Sequence, residues 1–294
     1  MEKAKVYFTR KIDSDSLIAI YHALGKELHG KVAVKISTGE PGGHHFLNPA
    51  MIAGLVSELN GTIVECCTAY AGKRMNPADH WQTIKDHGFY DIAPCDIMDE
   101  MGEMEIPVNG GFHLKTNIIG EHFANYDSML MLSHFKGHAM GGFGGALKNM
   151  SIGIGSSHGK ANIHTGGVTA DCQAMWNQFA KQDDFLESMA DACKGVIDYM
   201  GAENILYISV ANNLSVDCDC DANPHAPEMA DIGIFASTDP VALDQACYDA
   251  VINSPDPGKK ALIERMDSLH GIHTVEAAEK LGLGTSRYEI VNLD

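Results

Sequence analysis

Positive charge is scarce in this 294-residue chain, because 21 lysines and arginines stand against 39 aspartates and glutamates, a formal net charge of −18. Proteins that bind nucleic acid or anionic membranes need a basic surface, so the composition argues against both partners. Long apolar runs are also missing, and no stretch is long enough to cross a bilayer. The opening residues, MEKAKVYFTR, lack the apolar region of a signal peptide, so we expect a cytoplasmic protein.

Cysteine is thinly spread along the chain. The eight residues are Cys66, Cys67, Cys95, Cys172, Cys193, Cys218, Cys220 and Cys247. Such scatter in a large chain is typical of an intracellular protein whose thiols stay reduced. The C-x-x-C-x-x-C-x-x-x-C-P run of ferredoxins is absent from the sequence, so we predict no 4Fe–4S centre of that type.

Short β-branched runs alternate with amphipathic helical stretches through most of the sequence. The predicted strands lie at 31–37, 62–67, 127–132, 205–211, 231–237 and 287–293. Such alternation predicts an α/β fold with mostly parallel sheets flanked by helices.

Helix ends are marked by capping residues. Asn48 and Asp239 are each followed by proline, which predicts helix starts there, and Asp79 is a candidate cap for a third helix. Gly201 is expected to end a long helix.

The pattern is weakest at residues 166–184. We therefore predict two closely packed lobes with a site in the crevice between them. The first, 1–165, is an α/β lobe with glycine- and histidine-rich loops, and the second, 166–294, is an α/β lobe with the CDC and DPVALDQAC motifs.

The loop GEPGGHH (39–45) lies between a predicted strand and the Asn48 helix. Loops that leave the carboxyl ends of parallel strands face the ligand crevice. His44 and His45 are therefore candidate metal ligands. The alternative is a glycine turn with two solvated histidines.

Residues 133–164 (SHFKGHAMGGFGGALKNMSIGIGSSHGKANIH) contain four histidines, three lysines and no acidic residue. Glycine lets backbone N–H groups approach a ligand closely. The segment matches neither a Walker loop nor a dinucleotide fingerprint, and its glycines disfavour a zincin-like helix at His134 and His138. We predict an anion or metal-cofactor site whose cofactor-binding residues include Gly141, Gly142, Gly144, Gly145 and Lys148.

The motif Cys218-Asp-Cys220 offers two soft ligands on one loop. We treat both cysteines as candidate metal ligands, with His225 and Cys247 as further ligands by residue type only. The alternative is two reduced cysteines beside a turn.

Arg74 follows a predicted strand and is a candidate cofactor-binding residue, because guanidinium can clamp a carboxylate through two hydrogen bonds. A surface arginine is the alternative interpretation.

These motifs resemble a known family. GEPGGHHFLNP, AYAGKRMNPADH, SHFKGHAMGGFGGALKNMSIG and CDC followed by PEMADIGIFASTDPVALDQAC resemble the family called domain of unknown function 362, over roughly residues 30 to 255. Many of its members carry a ferredoxin-type iron–sulfur module near the middle. Here residues 165–184 hold one cysteine and no cluster motif.

A more distant similarity links His138, Lys148 and His164 to the cofactor segment of the nickel-pincer lactate racemases. The two spacings of ten and sixteen residues are shared as well as the residue types. The resemblance implies that His138 is a catalytic acid/base, that Lys148 contacts the cofactor and that His164 binds the metal.

Together these features predict a metal- or cofactor-dependent enzyme that acts on a small anionic substrate of the carboxylate type. His138 and Lys148 are the expected catalytic residues, and His44, His45 and His164, with Cys218 and Cys220, are the candidate ligands of a divalent metal such as Zn, Fe or Ni. The alternative is a metal-binding or redox-associated carrier that works with a separate iron–sulfur protein. The sequence leaves a homodimer open.

Overall fold

Residues 3–294, which the computed structural model describes, alternate between strands and helices. The twelve strands in this range are β1 (Ala4–Thr9), β2 (Val32–Lys35), β3 (Thr62–Glu65), β4 (Cys95–Ile97), β5 (Glu103–Pro107), β6 (Thr116–Gly120), β7 (Ser128–His134), β8 (Lys136–His138), β9 (Gly142–Gly144), β10 (Ile205–Ala211), β11 (Gly233–Ser237) and β12 (Tyr288–Asn292). The nine α-helices in the same range are α1 (Ser14–Ala23), α2 (Pro49–Glu58), α3 (Pro77–Asp86), α4 (Ala146–Ser151), α5 (Ser157–His164), α6 (Gln182–Met200), α7 (Pro240–Ile252), α8 (Lys259–Ser268) and α9 (His273–Lys280). None of the helices described is both long and apolar enough to cross a membrane.

An eight-stranded sheet organises the fold, in the order β12-β1-β11-β10-β7-β2-β3-β4. Neighbouring strands run parallel, except that β11 is antiparallel to both β1 and β10. The predicted α/β class, a mostly parallel sheet flanked by helices, is confirmed. Strands from both sides of residue 165 share this sheet, and a division into lobes there stays a prediction.

The central strands β7 and β10 are buried along their whole length because both faces of the sheet are covered there. On β7, Met129 and Met131 pack into the hydrophobic cluster that includes residues of α4, α6 and α7. Leu130 and Leu132 point the other way, into a cluster that includes residues of α1 and α2. This alternation is what a strand buried on both sides requires.

Side-chain caps set several helix starts. The Asn48 side chain accepts the N–H of Ala50 at 2.9 Å, and Asp239 caps α7, so both predicted starts are confirmed. The prediction for α3 is wrong by three residues: Asn76 is the cap and accepts the N–H of Asp79 at 3.0 Å. Pro77 explains the shift, because proline is favoured in the first helical turn and moves the start of the helix ahead of Asp79.

The order of the strands reverses between β2 and β7. β2 leads to β3 and β4 on one side, whereas β7 leads to β10 and β11 on the other. Open α/β sheets bind ligands beyond the carboxyl ends of strands at such a reversal. Asn149 spans the gap, since its Nδ2 donates to the Lys35 carbonyl at 3.0 Å and to the Ser133 hydroxyl at 3.1 Å.

A buried carboxylate on α7 fixes the start of α4. Asp244 accepts hydrogen bonds from the backbone N–H groups of Ala146 at 2.7 Å and Leu147 at 2.9 Å. A Cβ at Gly145 would overlap that carboxylate, so only glycine fits there. Burial raises the pKa of Asp244 to about 7, although the two N–H donors act in the opposite direction. The contact therefore positions the helix that carries Lys148.

We expect Asp244→Ala to destabilise the protein by about 1–3 kcal/mol, because two buried N–H groups would lose their acceptor. Asp244→Asn keeps one acceptor oxygen and should cost less. Urea unfolding measures both. As a control, Asp198→Ala removes only a partly exposed ion pair with Lys194 and should change the free energy of unfolding by no more than about 0.5 kcal/mol. Equal losses for Asp244→Ala and Asp198→Ala would contradict the proposed contact.

Candidate active site

A cavity of about 220 Å³ opens at the carboxyl ends of β2, β3 and β7. Lys35, Glu65 and His134, the last residues of those three strands, contribute to its wall. The cavity thus lies at the reversal of strand order, where the sequence places the glycine-rich segment.

One ion-pair network closes the base of the cavity. Lys35 Nζ lies 2.8 Å from a carboxylate oxygen of Glu65, and Arg74 Nε lies 2.8 Å from Glu40. Arg74 Nη1 also approaches Glu65 at 3.4 Å. Burial alone would raise the pKa of Glu65, but Lys35 and Arg74 lower it to about 2. Arg74, predicted to bind a cofactor, lines the cavity with its guanidinium already paired to two carboxylates.

A second network anchors the CDC loop. The Asp219 carboxylate pairs with Lys136 and lies 3.1 Å from Nδ1 of His134. Burial opposes ionisation of Asp219, but these two groups hold its pKa well below the ordinary value. The middle residue of the CDC motif therefore ties this loop to β7 and β8.

His138 ends β8 and lines the cavity. Its Nδ1 accepts the backbone N–H groups of Gly141 at 2.8 Å and Met140 at 3.2 Å. A neutral imidazole whose Nδ1 acts as acceptor carries its proton on Nε2, so His138 presents an N–H donor. Burial, followed by the positive charge of Lys148, holds the pKa of His138 well below its usual range.

His164 has the opposite tautomer. Its Nδ1 lies 2.7 Å from the Lys160 carbonyl oxygen and must donate to it, which leaves a lone pair on Nε2. Burial lowers the pKa of His164 to about 4, so the ring is neutral at pH 7. His138 and His164 thus offer one donor and one acceptor nitrogen in the same cavity.

Lys148 differs from the other cations in the cavity wall. Lys35, Arg74, Lys136 and Lys160 each donate to a carboxylate or a carbonyl oxygen. Within residues 3–294, no oxygen accepts a hydrogen bond from Lys148 Nζ. Burial, with the charges of Lys35 and Arg74, lowers the pKa of Lys148 to about 7. The wall as a whole holds five cations against two carboxylates, which favours a bound anion.

Cys218 and Cys220 also line the cavity and form a disulfide bond. The expectation that all thiols are reduced is therefore wrong for this pair, because the turn at Asp219 brings the two Cα atoms to 5.2 Å. One nitrogen of His138 and the two sulfur atoms lie within 4.8 Å of one another. Sulfur in a disulfide is not a thiolate ligand, so these cysteines can bind metal only after reduction.

Comparison with protein-family models shows to which family this chain belongs. The family model "Domain of unknown function (DUF362)" matches residues 32–249. The chain belongs to the DUF362 family. None of the curated proteins matches the sequence.

Solved structures resemble this DUF362 member at low identity. The lactate racemase apoprotein of Thermoanaerobacterium thermosaccharolyticum is 12% identical, covers 84% of this chain and gives a TM-score of 0.48. A protein of Thermotoga maritima is 10% identical, covers 91% of this chain and gives 0.43. The chain spans only 57% and 58% of the lengths of these two proteins.

The structure separates the candidate residues of the DUF362 chain into two groups. Those that line the cavity are Arg74, His138, Gly144, Gly145, Lys148, His164, Cys218 and Cys220. His44 is exposed and His45 half-buried, and neither contributes to the cavity wall. Gly141 and Gly142 lie behind the wall, where Gly141 orients His138 and Gly142 packs against Gly271.

The other proposed partners of the CDC cysteines lie elsewhere. Cys247 lies on α7 and is buried in the core, and the exposed His225 side chain pairs with Asp217. The residue that lies close enough to share a metal with the two cysteines is His138 instead.

Sequence reasoning missed the aromatic side of the cavity. Met175, Trp176 and Phe179 line it, and the Trp176 and Phe179 rings meet edge to face at 5.5 Å. Both belong to the weakly patterned segment 166–184. The only signal in the sequence was two large aromatic residues in an otherwise polar, irregular stretch. Aromatic residues that cluster at a surface often line a binding site.

Lys148 should become reactive toward amine reagents at an unusually low pH. Because its pKa is lowered to about 7, Lys148 should be neutral and nucleophilic in half of the molecules near pH 7. An ordinary lysine is half neutral only near pH 10.4. Competitive acetylation followed by mass spectrometry measures this as a function of pH. Exposed Lys260 is the internal reference. Parallel pH profiles for Lys148 and Lys260 would refute the lowered pKa.

Proposed function

We propose that this protein is an enzyme that binds a small carboxylate-type anion in the cavity and uses His138 and Lys148 for acid/base chemistry. The proposal rests on the unpaired Nζ atom of Lys148. It is a half-buried cation without a protein acceptor, in the same cavity wall as two histidines whose Nε2 atoms have no protein partner within residues 3–294. These three nitrogen atoms are therefore free to bind a ligand that enters the cavity.

Binding would rest on charge and on an apolar surface. Protonated Lys148 would form a charge-assisted hydrogen bond with the carboxylate. Met140, Ile152 and Phe179 line the same cavity and would contact the carbon part of the substrate. A cavity of about 220 Å³ suits a compound of a few carbon atoms.

Proton transfer would be divided between the two residues. His138 is neutral with its proton on Nε2, so it would act as donor to a substrate oxygen. Lys148, with a pKa of about 7, can both accept and release a proton near neutral pH. Proton abstraction next to a carboxylate is the reaction that this pair supports best.

His164 fits a metal ligand. Its Nε2 lone pair is available in the cavity, and its Nδ1–H donates to a backbone carbonyl, as is usual for metal-bound histidine. A divalent metal bound there would supply Lewis-acid chemistry on a substrate oxygen. The other proposed ligands, His44 and His45, are not in the cavity wall and would join only through a movement of loop 39–45.

Small 2-hydroxy carboxylates should raise the melting temperature of the protein, and Lys148→Met should weaken their binding at least about tenfold. A hydrogen bond to a charged group contributes roughly 1.5–3 kcal/mol, which sets this scale. Because lysine binds anions as the ammonium ion, affinity should fall as the pH rises above about 7. Thermal-shift titration with lactate and inorganic phosphate at several pH values tests this.

Lys73→Met is the matched control, since Lys73 is exposed and outside the cavity wall. If Lys73→Met and Lys148→Met respond alike to every anion, the assignment of Lys148 fails.

A second function, a metal carrier, is favoured by the convergence of His138, Cys218 and Cys220. It requires the reduced dithiol. Metal analysis of anaerobically reduced protein separates the two functions. Metal lost in Cys218→Ser/Cys220→Ser and kept in His164→Ala supports the carrier, and the reverse result supports the enzyme.

A further inference from the structure

Histidines and carboxylates also meet outside the cavity, where α6 begins. The members of this outer cluster are His113, Asp183, Asp184, Glu187, His270 and His273. They come from three separate parts of the chain: the loop before β6, the first turns of α6, and the turn between α8 and α9 with the first residue of α9. Sequence distance hides the cluster, because only the fold brings these parts together.

The donor atoms of three of these residues are close enough to share one ion. Asp183 Oδ1 lies 2.7 Å from His270 Nδ1, and one ligand atom from each of Asp183, His270 and His273 lies within 4.8 Å of the others. The two imidazole rings stack at 4.9 Å. Glu187 adds a second carboxylate, 3.1 Å from Nε2 of His273.

The backbone turn at the end of α8 fixes the position of His270. Helix α8 ends in a Schellman motif, in which the Gly271 N–H donates to the Met266 carbonyl at 2.8 Å and the His270 N–H to Asp267 at 3.0 Å. His270 occupies the left-handed position of this motif with φ of 50°. Glycine is the residue that fits there without strain. Histidine is one of the few other residues enriched in this conformation, and here the turn aims its imidazole at Asp183.

His273 has the surroundings of a ligating histidine. It is nearly buried, and its Nδ1 lies 3.3 Å from a carboxylate oxygen of Glu276. A metal-bound histidine usually donates its second N–H to such a carboxylate, which fixes the ring and its tautomer. Nε2, on the side of Glu187, would then hold the ion.

We propose that Asp183, His270 and His273, with Glu187 beside them, form a site for a borderline divalent cation such as Zn²⁺. Two imidazoles and one or two carboxylates are the ligands that this class of ion prefers, and the exposed side leaves room for water. The site does not depend on the proposed function of the cavity.

The cation would brace the hairpin that carries His138. Gln182, next to Asp183, donates from one Nε2 to the carbonyl oxygens of Met140 and Leu269, both at 2.8 Å. A Cβ at Gly142 would lie only 2.8 Å from Gly271 Cα, so the turn that holds His270 packs directly on the loop of the hairpin. Binding outside would therefore stiffen the loop that sets the tautomer of His138.

The test is Zn²⁺ titration by calorimetry on the unreduced, disulfide-bonded protein in a His164→Ala background, which removes the candidate ligand inside the cavity. We expect one saturable site and a higher melting temperature with Zn²⁺. His270→Gly should abolish both effects while leaving the melting temperature without metal equal or higher, since glycine suits the left-handed backbone. Asp183→Asn should weaken binding at least tenfold.

His22→Ala is the matched control, because His22 pairs with Glu58 on a different surface and should leave the Zn²⁺ site intact. Absence of saturable Zn²⁺ binding, or equal binding by His270→Gly and His22→Ala, would overturn the proposal.

Discussion

The need to pair buried positive charge at the carboxyl edge of the sheet is the constraint on which this structure depends. Lys35 and Lys136 are only 1% and 2% exposed, and an ion removed from water costs several kcal/mol unless a counter-charge replaces the lost solvation. Glu65 and Asp219 supply that counter-charge. The acidic residues nearest the cavity therefore have a structural task, and removal of one would leave a buried cation uncompensated.

This pairing also determines the properties of the group that remains unpaired. Lys35 and Arg74 are fixed by their own carboxylates, so their charges cannot move away from Lys148. These fixed charges make the ammonium form of Lys148 less favourable. An anion that entered the cavity would relieve this repulsion and raise the pKa of Lys148 again. Binding of an anion and protonation of Lys148 would thus be coupled, and the pKa of Lys148 depends on neighbours whose own charges are already paired.

Local patterns in the sequence were enough to predict the α/β class, six of the eight strands of the main sheet and three of the four marked helix ends, because each depends on residues close together in the chain. The concentration of His138, Lys148 and His164 in one segment was visible for the same reason. Glu65, at a strand end, and Glu40, in a loop, were not found, since an isolated glutamate gives no signal until the order of strands places it beside Lys35 or Arg74. The position of His44 and His45 outside the cavity wall likewise depends on how loop 39–45 packs, not on its composition.

Long-range contacts made by glycine explain why distant motifs act as one site. A Cβ at Gly137 would overlap the backbone of Val216, and the Gly137 N–H donates to the Ser215 carbonyl at 2.9 Å. The strand that ends in His138 and the loop that carries Cys218 and Cys220 are therefore held against each other through their backbones. Asp244 joins the DPVALDQAC motif to the start of α4, because its carboxylate accepts two backbone N–H groups of that helix. Since backbone contacts leave little freedom, a change in the disulfide loop would act on His138 directly through β8, whereas Lys148 is held separately by α7.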